Sequence, residues 1–259
     1  MFALNRRTAA AAFTASVLAT AGLAAVATPA AAIHGGQNTT TADHPYAMLL
    51  QTSAGAQVCG GTLVAPTKVL TAAHCVTGSA DPLDLRVVGG RTDMGSAKGT
   101  VREIASVKVH PKYAQNTLTY DAAVLTLSAP MPYKPLPVAG PKDSALYTPG
   151  KTGKTLGWGR TAPNTPGTRL KSAELTLSPL ASCEPYTDPG ESGALKVCGV
   201  GAVGTQDSIC PGDSGGPLVA GGKVIGIVST GNKYCDDQYP VSVYTRVSAV
   251  AAGLGLPVS

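Results

Sequence analysis

Apolar and β-branched residues occur along this chain in short runs separated by glycine, proline and serine. This pattern is typical of β-strands, and helical periodicity is absent until the last residues. In the first half the runs are 46–51, 62–64, 85–88, 101–109 and 122–127. The pattern resumes at Leu156 and continues in the runs 175–177, 197–200, 217–219, 224–229 and 241–247. The sequence therefore predicts an all-β protein with one short helix at residues 247–254.

Five prolines between residues 129 and 141 divide the strand pattern into two halves. Because proline lacks the N–H that a central strand donates, this stretch predicts a connector. We predict an N-terminal half at residues 33–138 and a C-terminal half at residues 139–259. The two halves show no internal sequence repeat.

Residues 1–32 have the features of a secretory signal peptide. Arg6 and Arg7 precede an alanine-rich apolar stretch that reaches Val26, and small residues end the segment at 30–32. A membrane anchor is the alternative, but alanine and threonine make the stretch weakly hydrophobic. Export through the twin-arginine route is a second alternative. Ordinary secretory export is favoured over it, because a chain that needs disulfides folds better after translocation. We predict a secreted, extracellular protein with no membrane segment after signal removal.

Composition narrows the function classes further. Of the 259 residues, 44% are hydrophobic and 14% are charged, so the chain can bury a core and is not a disordered tail. Removing Arg6 and Arg7 leaves 18 basic against 15 acidic residues, a net charge of +3. The excess is spread along the chain and forms no basic run, which argues against nucleic-acid binding.

Six cysteines in an exported chain predict three disulfides. Their spacing alone leaves all fifteen pairings open. Metal binding is the rival interpretation, but the sequence has no CxxC or HExxH spacing. We therefore expect no metal site.

Candidate chemistry is concentrated in three segments. Ser214 is bracketed by glycines in GDSGGP at 212–217, where a sharp turn can bring N–H groups close to a substrate carbonyl. His74 follows a β-type run in TAAHC at 71–75, and a histidine held there can act as a general base. Asp121 opens the apolar run DAAVL at 121–125, where a sheltered carboxylate can orient an imidazole.

These motifs, with GWG at 157–159 and GDSGGPLV at 212–219, occur in an order that resembles the trypsin and chymotrypsin family of serine proteases. The resemblance covers about the whole chain after the signal peptide. It implies two six-stranded antiparallel barrels with the active site in the cleft between them. It also implies a secreted serine endopeptidase that hydrolyses peptide bonds through an acyl-enzyme.

The resemblance assigns roles to the candidate residues. Ser214 is the nucleophile, His74 the base and later the acid, and Asp121 fixes the imidazole tautomer. The N–H groups of Gly212 and Ser214 form the oxyanion hole. Each residue alone could be structural, and we interpret the other three histidines as structural: His34, His44 and His110.

The same resemblance implies how the cysteines pair. Cys59 bonds with Cys75 beside the histidine, Cys183 with Cys198 across a surface loop, and Cys210 with Cys235 beside the pocket. Residues 229–231, Ser-Thr-Gly, match the family's Ser-Trp-Gly segment, and we place Ser229 and Gly231 in the substrate pocket. Threonine in place of tryptophan predicts more open subsites beyond the first.

The pocket departs from the trypsin pattern at its floor and on its opposite wall. Ser208 stands at the floor where trypsin-like relatives have aspartate, and Ser242 stands on the opposite wall where they have glycine, which narrows the slot. A neutral floor favours an apolar or aromatic residue at P1, the substrate position before the cleaved bond. The alternative is a bulge at Ile209 that lets Asp207 reach the floor and select arginine or lysine.

The segment 33–36, Ile-His-Gly-Gly, resembles the family's mature N-terminus with histidine in place of valine. The resemblance implies that the freed amine of Ile33 pairs with Asp213 and orders the oxyanion loop and pocket. Signal cleavage after residue 32 would create this N-terminus directly. Cleavage after Ala30, followed by trimming, is the alternative.

We expect no cofactor. The stretch 89–99, which corresponds to the family's calcium loop, is short and offers only Asp93, so calcium dependence is not predicted. The implied partners are polypeptide substrates and protein protease inhibitors, and we expect a monomer. Two alternatives stay open: a catalytically silent binding protein on the same fold, and an enzyme that prefers esters.

Overall fold

The structure is a computed structural model that describes residues 1–2, 33–78 and 81–258. The expected signal peptide therefore lies, from residue 3 onward, outside the described residues. Within the described ranges, no helix has the length and apolar character needed to cross a membrane.

A closed antiparallel barrel forms the first half, in the strand order β2-β3-β4-β7-β6-β5. These strands are β2 (Ala47–Gln51), β3 (Gln57–Ala65), β4 (Lys68–Thr71), β5 (Arg86–Gly89), β6 (Thr100–Val109) and β7 (Ala123–Leu127). Buried leucine, valine and methionine side chains fill the barrel, among them Met48, Leu63 and Leu125. Removing this apolar surface from water is the main source of its stability.

The second barrel closes in the order β8-β9-β10-β13-β12-β11, with β11 paired back to β8. Its strands are β8 (Thr152–Gly157), β9 (Lys171–Ser178), β10 (Lys196–Gly201), β11 (Pro217–Ala220), β12 (Lys223–Gly231) and β13 (Val241–Arg246). Buried and more exposed positions alternate along β9, as expected where one face of a strand packs on a core. The predicted fold class, two six-stranded antiparallel barrels with a short C-terminal helix, is confirmed.

Each end of the chain packs on the barrel of the opposite half. Strand β1 (Gln37–Asn38) pairs with β9 of the second barrel. Helix α2 (Val247–Leu254) occupies the predicted residues, and its buried Val247, Val250 and Leu254 join the core of the first barrel. The strands of the first barrel end at Leu127 and those of the second begin at Thr152, while β1 and α2 tie the two barrels together.

The remaining helical segments are short. Helix α1 (His74–Thr77) is a single turn after β4, and 3₁₀ turns occur at Pro82–Asp84, Pro141–Tyr147 and Leu180–Cys183. The proline-rich stretch ahead of Pro141 runs between the barrels without entering a named strand, as predicted for a connector.

The six cysteines pair as the family resemblance implies. Cys59 bonds with Cys75, Cys183 with Cys198, and Cys210 with Cys235. No described cysteine is left as a thiol. The first bridge fastens α1 to β3, and the third joins the loop before Ser214 to the loop between β12 and β13.

Candidate active site

His74 and Asp121 meet on the first barrel at the ends of two paired strands. Strand β4 leads into α1, which begins at His74, and Asp121 lies two residues before the start of β7, the neighbour of β4. Asp121 Oδ2 lies 2.7 Å from His74 Nδ1, and Asp121 Oδ1 accepts the backbone N–H of His74 at 2.9 Å. Since a carboxylate only accepts, Nδ1 carries the proton and donates it, which leaves the Nε2 lone pair available.

Asp121 is fully buried, and the second barrel supplies its third donor. Ser229 on β12 donates its hydroxyl to Asp121 Oδ2 at 2.6 Å. The charge is therefore held by three hydrogen bonds from both barrels, which offset the cost of burying it.

A strained turn places Asp121 at this point. Tyr120 has a φ of 53°, in the left-handed region that bulky residues rarely adopt. Its ring stacks on His110 with centroids 4.8 Å apart and an angle of 5° between the planes. The stack supports a conformation that costs about 1 to 3 kcal/mol, a kind of strain that concentrates at functional sites.

The loop that carries Ser214 packs against the strand end that carries His74. The Ser214 carbonyl accepts the N–H of Gly60 at 2.7 Å. A Cβ on Gly215 would lie 2.2 Å from Thr71 Oγ1 and 3.2 Å from the Ala72 nitrogen, so only glycine fits there. The two barrels thus bring Ser214 to the residues that lead directly into His74.

Gly212 has a φ of 98°, a conformation that favours glycine. Its carbonyl accepts the side-chain amide of Gln57 at 2.9 Å, which fixes one side of the turn. Neither the N–H of Gly212 nor that of Ser214 donates to an acceptor within the described residues. Sequence analysis missed Gln57, because nothing in its local sequence indicates a partner so distant in the chain.

A cavity of about 210 Å³ opens beside Ser214. Its lining comes from the loop before Ser214 and from β12 with the residues that follow: Ile209, Cys210, Pro211, Ser214, Ser229, Thr230, Gly231, Asn232 and Lys233. The predicted pocket residues Ser229 and Gly231 are in this lining. Lys233 is the charged member, and it is exposed.

The predicted floor residue Ser208 and the predicted wall residue Ser242 are fully buried and are not in the cavity lining. Ser208 Oγ accepts the side-chain amide of Asn232 at 2.9 Å, and Ser242 Oγ accepts the N–H of Ile209 at 3.1 Å. The Asn232 amide also bonds to both backbone groups of Asp236. Asn232 is a second residue that sequence analysis missed, because its partners are brought together only by the fold.

Asp207 is not in the cavity lining. Its carboxylate faces the N-terminal segment, where a Cβ on Gly35 would lie 2.2 Å from Asp207 Oδ1. Burial raises the pKa of Asp207, and the nearby charges of His34 and Lys171 oppose that rise. The hypothesised bulge at Ile209 does not bring Asp207 to the floor, because Ile209 itself is held in the lining by Ser242.

Asp213 is fully buried, and its two oxygens accept the N–H groups of Gly159 at 2.7 Å and Cys210 at 2.9 Å. A Cβ on Gly157 would lie 2.0 Å from Asp213 Oδ1, so the GWG motif makes room for this carboxylate. Burial raises the pKa of Asp213 to about 7, against the opposing effect of the two N–H donors. The predicted partner Ile33 is fully buried in the second barrel's core, and no hydrogen bond joins it to Asp213 within the described residues.

One group of described side chains has metal-ligand spacing: Cys59, His74 and Cys75. Both sulfurs form the disulfide beside His74 and are not thiolates. The group therefore carries no argument for a metal.

The chain matches the family model described as Trypsin over residues 33–253. It is 40% identical to a trypsin of Saccharopolyspora erythraea over 218 residues, which are 84% of this chain and 94% of that protein. It is 35% identical to glucanase inhibitor protein 1 of Phytophthora sojae, over 90% of this chain and 91% of that protein. Among solved structures, the human heparin binding protein matches with a TM-score of 0.70 at 24% identity, over 84% of this chain and 92% of that one.

The buried carboxylate of Asp213 predicts a pH-dependent stability for any chain that retains residues before Ile33. The folded pKa lies above the unfolded one, so between about pH 4 and 7 the folded state binds more protons. The free energy of unfolding should therefore fall as pH rises through this window, by at most about 1.4 kcal/mol per pH unit from this group. Urea unfolding at pH 4 to 7 measures the slope. Asp213→Asn should remove this contribution, and an unchanged slope would show that another group causes it.

Proposed function

Since the chain belongs to the trypsin family, we propose that it is a secreted serine endopeptidase that hydrolyses peptide bonds through an acyl-enzyme on Ser214. One observation carries the proposal. Asp121 Oδ2 lies 2.7 Å from His74 Nδ1, so the other ring nitrogen, the basic Nε2, points away from Asp121. The loop that carries Ser214 packs in the same cleft. The three disulfides and the N-terminal segment support secretion.

In the first step, Ser214 Oγ forms a bond to the carbonyl carbon of the substrate, and His74 Nε2 takes the hydroxyl proton. The carbonyl electron pair moves to oxygen, and the N–H groups of Gly212 and Ser214 stabilise that charge. The imidazolium then gives its proton to the leaving amine as the C–N bond breaks. The buried Asp121 carboxylate stabilises the imidazolium throughout.

The second step reverses these roles with water. His74 Nε2 takes a proton from water as the water oxygen bonds to the acyl carbon. The protonated His74 then returns a proton to Ser214 Oγ as the ester bond breaks. Acid and enzyme are released, and no cofactor is needed.

We propose an apolar or aromatic P1 residue. The cavity beside Ser214 has Ile209, Pro211 and a disulfide in its walls, and the buried serines behind it are neutral. Lys233 in the lining disfavours a basic side chain through like-charge repulsion. The placement of Asp207 beside Gly35 argues against the trypsin-like alternative.

We also propose that cleavage before Ile33 activates the enzyme. Ile33 has a φ of 62°, a strained value for a β-branched residue. A φ exists only where a peptide bond precedes the residue, so cleavage at this point removes the strain. It also creates an ammonium that can neutralise Asp213, whose burial otherwise disfavours its charge.

Glucanase inhibitor protein 1 carries an inhibitor's name, which keeps a silent binding protein as the second candidate. The presence of Ser214, His74 and Asp121, with two of them already paired, favours the enzyme. A digest of a peptide library read by mass spectrometry tests the choice, since an enzyme cleaves peptides and a binding protein leaves them intact.

Ser214→Ala should leave folding and secretion intact and nearly abolish peptide hydrolysis. Asp121→Asn should lower kcat by about 10⁴-fold, the magnitude established for this substitution in the Ser-His-Asp template, because the imidazole then adopts the wrong tautomer. Steady-state kinetics on a peptide ester and a peptide amide measure both effects and show whether esters are preferred. Normal turnover by the Ser214→Ala protein would disprove the assignment.

The library digest should show cleavage after apolar and aromatic residues. Asp207→Asn is the matched variant, and its P1 preference should equal that of the unmodified protein. If cleavage occurs only after arginine and lysine, and Asp207→Asn abolishes it, Asp207 determines the specificity and the apolar proposal fails.

N-terminal sequencing of the active secreted protein should give Ile33 as the first residue. A protein with one additional residue before Ile33 should have greatly reduced kcat/KM, because its amine cannot reach Asp213. Asp213→Asn should also lower activity, although Asp213 lies outside the triad. Full activity in a protein that begins at Ala31 would contradict the activation mechanism.

A further inference from the structure

The segment that follows the proposed N-terminus bonds directly to the pocket. The backbone N–H of His34 donates to the Ser208 carbonyl at 3.0 Å, and the His34 carbonyl accepts the Ser208 N–H at 3.2 Å. Ser208 is the buried residue that binds Asn232 behind the cavity lining. A change in the position of His34 is therefore transmitted to the pocket through two backbone bonds and one side-chain bond.

The imidazole of His34 contacts two further segments. Its Nδ1 lies 3.2 Å from the Thr161 carbonyl oxygen, and its Nε2 lies 2.7 Å from Asp237 Oδ1. A carbonyl and a carboxylate can only accept hydrogen bonds. A neutral imidazole has a single N–H and can serve one of them, whereas the imidazolium donates to both. The geometry therefore matches the doubly protonated ring.

The two partners lie in two different loops, each of which is bonded to residues beside the pocket. Thr161 follows Gly159, whose N–H binds Asp213. Asp237 lies in the loop between β12 and β13, next to Asp236, which Asn232 binds. Cys235 in the same loop is bonded to Cys210 of the cavity lining.

Three other charged side chains surround the contacts of His34: Asp237, Asp207 and Lys171. Asp237 is 72% exposed, against 17% for His34, so water screens their ion pair. The half-buried Asp207 interacts electrostatically with both His34 and Lys171. Lys171 donates to the Gly36 carbonyl and so holds the same segment from the β9 side. Two carboxylates, Asp207 and Asp237, therefore act on the imidazolium.

We propose that His34 is a positioning residue for the substrate pocket and that it acts in its imidazolium form. The positive ring joins the N-terminal segment, the loop of Thr161 and the loop of Asp237 into one unit. A neutral ring keeps only one of the two side-chain bonds, so loss of a ring proton loosens the pocket. This inference rests on the proposed protease function and adds to it a pH-dependent substrate affinity.

The test compares KM and kcat of the unmodified protein, His34→Val and Asp237→Asn on one peptide substrate between pH 5.5 and 9. Each variant should raise KM about two- to fivefold at pH 6, the effect expected of one exposed ion pair, and leave kcat nearly unchanged. The difference in KM should become smaller as pH rises, because a ring that has lost a proton keeps only one of its two side-chain bonds. The contribution of His74 to the pH profile cancels, because all three proteins share it.

Asp188→Asn removes another exposed carboxylate from a different loop and is the matched control, with an expected KM ratio of one at every pH. The double variant His34→Val/Asp237→Asn should be no worse than either single variant, because both remove the same bond. A second measurement does not depend on activity. In Ser214→Ala proteins, His34→Val should lower Tm more at pH 6 than at pH 9.

The proposal is overturned if the KM ratio for His34→Val is one at pH 6, or if it is constant from pH 6 to 9. Failure of the protease function is a separate outcome. In that case the unmodified protein does not hydrolyse the substrate, while the Tm difference between Ser214→Ala proteins still reports whether the His34 contacts form.

Discussion

The site depends on one buried charge. Asp121 is fully excluded from water, and it is held by the backbone N–H and imidazole of His74 on one barrel and by the Ser229 hydroxyl on the other. A buried carboxylate without such donors would destabilise the fold, so the two barrels must meet in a register that supplies them. The same requirement fixes the tautomer of His74. Stability and chemistry therefore impose the same arrangement on the cleft.

A second buried carboxylate shows what the described chain lacks. Asp213 has two backbone donors, and burial raises its pKa to about 7 against their opposing effect. Ile33 lies in the core of the same barrel with a strained φ. An amine freed at Ile33 would relieve both costs, which is the physical reason for linking cleavage to the order of the pocket.

Local patterns predicted most of the fold. Alternating short apolar runs indicated the strands, and the small apolar segment at the end coincides with α2. The predicted strands do not include β4 (Lys68–Thr71), although a β-type run is predicted directly before His74. The packing of both chain ends on the opposite barrel was not predictable, because no local pattern encodes a partner more than a hundred residues away.

The site was predictable where a motif carries it and not elsewhere. His74, Asp121 and Ser214 lie in distinctive segments, whereas Gln57 and Asn232 are single polar residues whose partners only the fold provides. His34 was interpreted as structural, since a lone histidine gives no sign that its two ring nitrogens face two acceptors. The sequence could not decide whether Asp207 or Ser208 lies at the pocket floor. The two interpretations differ by one residue of register, and the spacing to Cys210 is compatible with both.

Covalent labelling tests the central claim most directly, because it reads the nucleophile without a choice of substrate. The secreted protein is treated with a serine-directed fluorophosphonate at pH 8, and the adduct is located by peptide mass spectrometry. The account predicts one adduct per chain, on Ser214, with labelling of His74→Ala and of heat-denatured protein reduced to the slow background of an ordinary serine. A folded protein that takes up no label, or takes it up at a different serine, would contradict it.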